Sequence, residues 1–181
     1  MNRILMVAAL ALAGFLVPTS SQAQTSGFNA FAAAFGPCAG EVCVIEYDPG
    51  GEINRYLAAA DAVRAGALRQ VVIDGPCLSA CAIFADVARE RVCVTERARF
   101  GFHKARLYAV EPARGGRATY REVAREDPAH SRDISSWVYR NGGFPDEGYL
   151  MMDARQAAQI WESCALERTR AAAPRQQRVH R

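Results

Sequence analysis

Gln70-Val71-Val72-Ile73-Asp74-Gly75-Pro76-Cys77-Leu78-Ser79-Ala80-Cys81 sets the fold class. Gln70–Ile73 is short, apolar and β-branched, the pattern of a buried strand. Asp74-Gly75-Pro76 stops it with turn residues. A helix is expected from near Ser79 to about Ala88. The same unit stands upstream. Val42–Tyr47 reads as a strand, and Asp48-Pro49-Gly50-Gly51 ends it. A helix follows with Ile53, Leu57, Ala60 and Arg64 on one face and Gly66 as its stop. Alternating strands and helices predict an α/β domain.

Downstream, Arg91–Thr95 and Arg99–Lys104 read as short strands, with Arg106–Val110 extending the sheet. Glu111–Ala118 reads as a loop. A long helix is expected over Thr119–Tyr139, with a break at Pro128 and an end at Asn141-Gly142-Gly143. A last helix is expected from Asp153 to Cys164. Upstream, Phe28, Phe31 and Phe35 mark one side of a short helix.

The chain has 181 residues, 50% apolar and 23% charged, which excludes a mostly disordered protein and leaves room for one domain. A net charge of +3 gives no argument for nucleic acid. Met1–Ala23 has the form of a secretory signal: Arg3, an apolar run from Ile4 to Val17, and Ser21-Gln22-Ala23 before the cut. That run is shorter than the ~20 residues of a spanning helix, which disfavours a membrane anchor. A periplasmic or secreted location is therefore expected. Removing the signal takes away Arg3 and no acid, leaving 21 basic against 19 acidic residues. The expected folded part is 24–167. Residues 168–181 carry five Arg and no acid, and read as a disordered basic tail. Solvation is the simplest role for the tail, and contact with an anionic membrane surface the alternative.

Three segments carry chemistry. Ser79 stands where a strand yields to a helix, so its hydroxyl lies at the sheet end beside the positive end of the helix dipole. The Ala80 N–H is one of that helix's free donors. Gly50 and Gly51 lack a Cβ and can bring a second N–H close; two such donors make an oxyanion hole. His103, in Phe100-Gly101-Phe102-His103, is the one His of the three flanked by apolar strand residues, and can take the Ser79 proton. Taken singly, Pro-Gly-Gly is a turn, Ser before a helix is a cap, and a strand His is structural. Their order makes the site.

That combination resembles the ClpP/crotonase superfamily. There a strand ends in Pro-Gly-Gly, a helix and a strand follow, a Ser opens the next helix, and a strand pair ends in apolar-apolar-His. The chain is most similar to the secreted, Clp-protease-like branch, in which a Cys-x-Ser-x-Cys form of the Ser motif occurs. The resemblance covers Val42–Lys104, and more loosely the stretch to Cys164. It implies strand-helix repeats of the ClpP/crotonase kind, trimmed at the N-terminus. It assigns Ser79 as nucleophile, His103 as general base, and Gly51 and Ala80 as oxyanion donors. The third triad member should precede the final helix: Glu147 is the first choice, with Asp146 and Asp153 beside it. No cofactor or metal is implied.

The six cysteines, Cys38, Cys43, Cys77, Cys81, Cys93 and Cys164, are disulfide candidates in an oxidising compartment. They lack the His spacing of a zinc site and the Cys-x-x-Cys spacing of a redox pair. Pairing Cys81 with Cys93, Cys38 with Cys43 and Cys77 with Cys164 is one set among the fifteen that six cysteines allow.

The leading expectation is a secreted serine hydrolase acting on peptide bonds through an acyl-enzyme, without ATP. Its substrate would be a peptide or unfolded segment, bound as an added strand; an oligomer is possible. The rival is a catalytically inactive relative that binds a peptide or protein partner in the same cleft. A crotonase-like acyl-thioester enzyme is disfavoured, because coenzyme A is not expected outside the cytoplasm.

Overall fold

Val71, Val72 and Ile73 are all buried, as in a strand covered on both faces, and their strand has neighbours on both edges. This is β2 (Gln70–Ile73), parallel to β1 (Val42–Ile45) on one side and to β4 (Val92–Val94) on the other. The structure, a computed structural model, describes residues 21–112 and 118–164. The expected basic tail, and all of the expected signal except its last three residues, lie outside the described residues. So does the tip of the Glu111–Ala118 loop.

The chain is mixed α/β. The first sheet runs β1-β2-β4-β9, all parallel, with β9 (Glu162–Ser163) at the end. The second holds β3 (Pro76–Leu78), β5 (Arg99–Phe102) and β8 (Leu150–Met152); β3 lies parallel to β5, and β8 antiparallel to it. Strand β3 is short and carries a Pro, so periodicity did not announce it.

Helix α1 (Ser21–Phe35) packs on α2 (Ile53–Arg64), and α2 packs on α3 (Ala80–Val87). The expected Phe side of α1 is real: Phe31 is fully buried, and Phe28 and Phe35 lean on the same core. Phe35 stacks edge-on against both Tyr56 of α2 and Phe84 of α3. The buried face of α2 is Tyr56, Ala59, Ala60 and Val63, with Leu57 only half-buried and Arg64 exposed. The apolar face is thus rotated from the expected one, because Tyr56 turns inward to a buried carboxylate described below. Glu52 caps α2 by accepting from Asn54 N and Arg55 N.

Three expectations of secondary structure fail after His103. Arg106–Val110 does not extend either of the sheets above but lies in a third. Thr119–Tyr139 is not one helix. Ala118–Glu126 is a strand, β7, paired antiparallel with β6 (Ala105–Pro112) in a separate two-stranded sheet. A helix there would have had no core to bury its apolar groups against: Tyr120 is 70% exposed and Val123 50%. Pairing with β6 satisfies the backbone instead. Helix α4 (Arg132–Arg140) begins only beyond Pro128. The last helix is also shorter than expected. Helix α5 (Ala154–Ala157) ends early, and the chain turns back into β9 before Cys164. Phe100 stacks on Trp161 and fixes that turn to the sheet.

Candidate active site

Ser79 is the only non-glycine residue with positive φ among the described residues, at φ 55° and ψ −123°. A side chain held there costs roughly 1–3 kcal/mol. Its hydroxyl makes no capping bond to α3. It turns instead to His103, with Oγ 2.7 Å from Nε2. A Ser whose role was to cap the helix would adopt extended φ, ψ and accept from the first turn. This one does neither.

Sheet register makes the meeting possible. Leu78 of β3 lies opposite Gly101 of β5, and Ser79 N donates to Gly101 O at 2.8 Å. The residues just beyond each strand, Ser79 and His103, therefore come together from 24 positions apart. Gly101 leaves room for the Leu78 and Tyr149 side chains; a Cβ there would lie 2.6 Å from Leu78 Cδ2 and 3.1 Å from Tyr149 Cδ1.

The Pro-Gly-Gly turn presses on the same point. A Cβ on Gly50 would lie 2.6 Å from Ser79 Cβ and 2.9 Å from Ala80 N, and Gly50 has φ 83°. Only glycine fits there. Neither Gly51 N–H nor Ala80 N–H has a hydrogen-bond partner among the described residues, so both donors remain open.

Asp48 holds this turn. It is buried, and its Oδ1 accepts from Gly50 N at 2.8 Å and from Tyr56 Oη at 2.9 Å. Its backbone pairs with β3 through Asp48 N to Pro76 O and Leu78 N to Asp48 O. Burial raises the Asp48 pKa, and the Gly50 and Tyr56 hydrogen bonds oppose that rise. Burial and the Asp48 hydrogen bond together push the Tyr56 phenol well above its usual range. In the sequence Asp48 reads only as a turn residue. The inward Tyr eight positions on was the signal that its carboxylate is structural.

His103 is held below its ordinary pKa, first by burial and then by the Arg106 charge. Its ring is therefore neutral near pH 7, the state in which Nε2 can accept the hydroxyl proton. A backbone hydrogen bond at Lys104 acts in the opposite sense. Tyr149 stands edge-on to the imidazole, with ring centroids 5.1 Å apart. This packing contact was not foreseen, since nothing in Gly148-Tyr149-Leu150 marks it.

None of the three expected carboxylates reaches His103, which corrects the triad. Glu147 is 75% exposed and pairs with Arg125 at 2.8 Å and Arg106 at 3.7 Å. The β6–β7 hairpin brings those arginines, and the expected helix over 119–139 concealed it. Asp146 pairs with Lys104. Asp153 caps α5 in a reciprocal capping box with Gln156. The site is a Ser–His pair without a carboxylate partner among the described residues.

The disulfides are Cys38–Cys43, Cys77–Cys81 and Cys93–Cys164. The first pair was expected; Cys81–Cys93 and Cys77–Cys164 are not formed. Cys81, in the first turn of α3, lies 4 residues beyond Cys77 of β3, with Cα atoms 5.2 Å apart. Strand β9 runs beside β4 and carries Cys164 to Cys93. Three disulfides are compatible with a secreted protein. No helix among the described residues is long and apolar enough to cross a membrane. No cluster of three or more His, Cys, Asp or Glu among the described residues is placed to hold a metal ion.

No protein-family model matches the chain, and no curated protein matches it.

Proposed function

We propose that the protein is a serine hydrolase of the ClpP/crotonase superfamily's secreted, Clp-protease-like kind, cleaving peptide bonds outside the cytoplasm without ATP. One observation carries the reading: Ser79, at a strained positive φ, directs Oγ to within 2.7 Å of His103 Nε2 instead of capping its helix. The order β1, Asp-Pro-Gly-Gly, α2, β2, Ser79, α3, β5, His103 supports the family, and the three disulfides support the compartment.

In this mechanism His103 Nε2 takes the hydroxyl proton as Oγ attacks the substrate carbonyl carbon. The oxyanion receives the N–H groups of Gly51 and Ala80. His103 then passes its proton to the leaving amine, and water hydrolyses the ester on Ser79 by the same route. With no carboxylate on His103, the reaction should be slow. Losing that partner costs about four orders of magnitude in a serine protease.

The missing carboxylate favours a second reading, an inactive relative that binds a peptide in the cleft. Labelling with a fluorophosphonate probe separates the two. The hydrolase labels on Ser79, loses all labelling in Ser79→Ala, and slows by roughly 10²–10⁴ in His103→Ala. A folded, oxidised protein that never labels and cleaves nothing in a mixed peptide library is the binder.

A further inference from the structure

The start of α3 is short of a cap and its Ser79 lies at a costly φ; its N–H donates to Gly101 O at 2.8 Å and its carbonyl accepts from Ala82 N at 2.9 Å, but neither bond holds Oγ on His103. A rotation to negative φ would relieve the backbone and let Oγ accept from the first turn, as Ser does before most helices. Oγ would then leave His103. Something must exclude that state.

We propose that the Cys77–Cys81 disulfide does so: Cys77 and Cys81 are positioning residues that hold Ser79 in its reactive turn. The bond ties the middle of β3 to the first turn of α3, with only Leu78, Ser79 and Ala80 between. The β3 end is fixed: Cys77 lies between Phe100 of β5 and Asp48, and Asp48 is itself bonded to Gly50 and Tyr56. The helix end is fixed too, since Cys81 and its neighbours in α3 are buried. Closing the short bridge between two fixed ends removes the freedom the turn needs to flip.

Global stability is a poor explanation for this bond. Its cysteines are 4 residues apart, against 71 for Cys93–Cys164, so it restricts the unfolded chain least. Cys38–Cys43, separated by 5 residues, is the matched control: a loop of similar size that does not enclose Ser79.

The inference rests on Ser79 being the nucleophile, and the test keeps the two apart. Oxidised wild-type protein is first labelled with the fluorophosphonate probe. The labelling rate and melting temperature are then compared in two double variants, Cys77→Ala with Cys81→Ala, and Cys38→Ala with Cys43→Ala. The expected result is that both melt alike, the control labels at the wild-type rate, and the Cys77/Cys81 variant labels at least about tenfold more slowly, as misplaced reacting groups do. The wild type can answer even where that variant does not fold. After partial reduction with a phosphine in graded urea, labelling and alkylation, labelled Ser79 should be at least about tenfold scarcer in molecules whose Cys77 and Cys81 were alkylated than in those where they escaped. Equal labelling with and without the bond overturns the inference. If the wild type never labels, the hydrolase reading fails. The His103 ¹⁵N shift then still reads the Ser79 hydrogen bond: it moves in the Cys77/Cys81 variant if the bond holds the turn, and an unmoved shift overturns the inference.

Discussion

Two helix starts in this molecule obey opposite rules. Helix α5 begins at Asp153, extended at φ −81° and ψ 171°, with its side chain accepting from Gln156 N and the Gln156 side chain answering. Helix α3 begins at Ser79, at positive φ and uncapped, with its hydroxyl given to His103. A cap contributes about 1 kcal/mol, and positive φ costs a further 1–3 kcal/mol. The first start is what stability selects. The second is tolerated only if its geometry does something else, and strain of this kind gathers at functional sites.

Ser79→Gly breaks the contrast most sharply. It removes the strained side chain and the proposed nucleophile together, so labelling should vanish while stability rises by about 1 kcal/mol, less the entropy glycine adds to the unfolded chain. Thermal melting checks the gain; a variant that melts lower would mean the turn is not strained. Gly50→Ala should come next. Its Cβ would fall within 2.6 Å of Ser79 Cβ, pushing the two turns apart. Labelling should drop about 100-fold in a protein that still folds.

A smaller effect should appear in the pH profile. Because the folded His103 pKa lies below 6.5, the ring stays neutral further into acid. The acid limb of the labelling rate should therefore have its midpoint below 6.5. Arg106 contributes to the lowering, so Arg106→Gln should move that limb upward. The same depression means His103 favours folding above its unfolded pKa, and that contribution is lost as pH falls through the folded value. Finally, Asp153→Ala should cost about 1 kcal/mol of stability and leave labelling unchanged. Glu147→Gln should change labelling by less than about twofold, since its partners are Arg125 and Arg106 at an exposed surface.

The residues legible in advance were those whose signal is local. Gly50, Ser79 and His103 each end a strand or open a helix, and turn chemistry is written in the few residues around them. Their meeting was visible only through order and spacing, because the β3–β5 register that joins them lies in no single segment. What escaped was non-local. Thr119–Glu126 carries apolar groups that suit a helix, and only β6 as a partner makes it a strand. Glu147 looked well placed until that hairpin brought Arg106 and Arg125 to it. Cys77 and Cys81 stood in plain view around Ser79, but their pairing depends on how sharply the chain turns from β3 into α3. Asp48 reads as a turn residue, and its burial under Tyr56 makes it the support of the Pro-Gly-Gly turn.

The most direct measurement is the site of the adduct after the oxidised, folded protein meets a fluorophosphonate. Peptide mapping should find the phosphonyl group on Ser79 alone, in a quantity that falls sharply in His103→Ala. A folded protein that stays unmodified at Ser79, or is modified equally well without His103, would contradict the account.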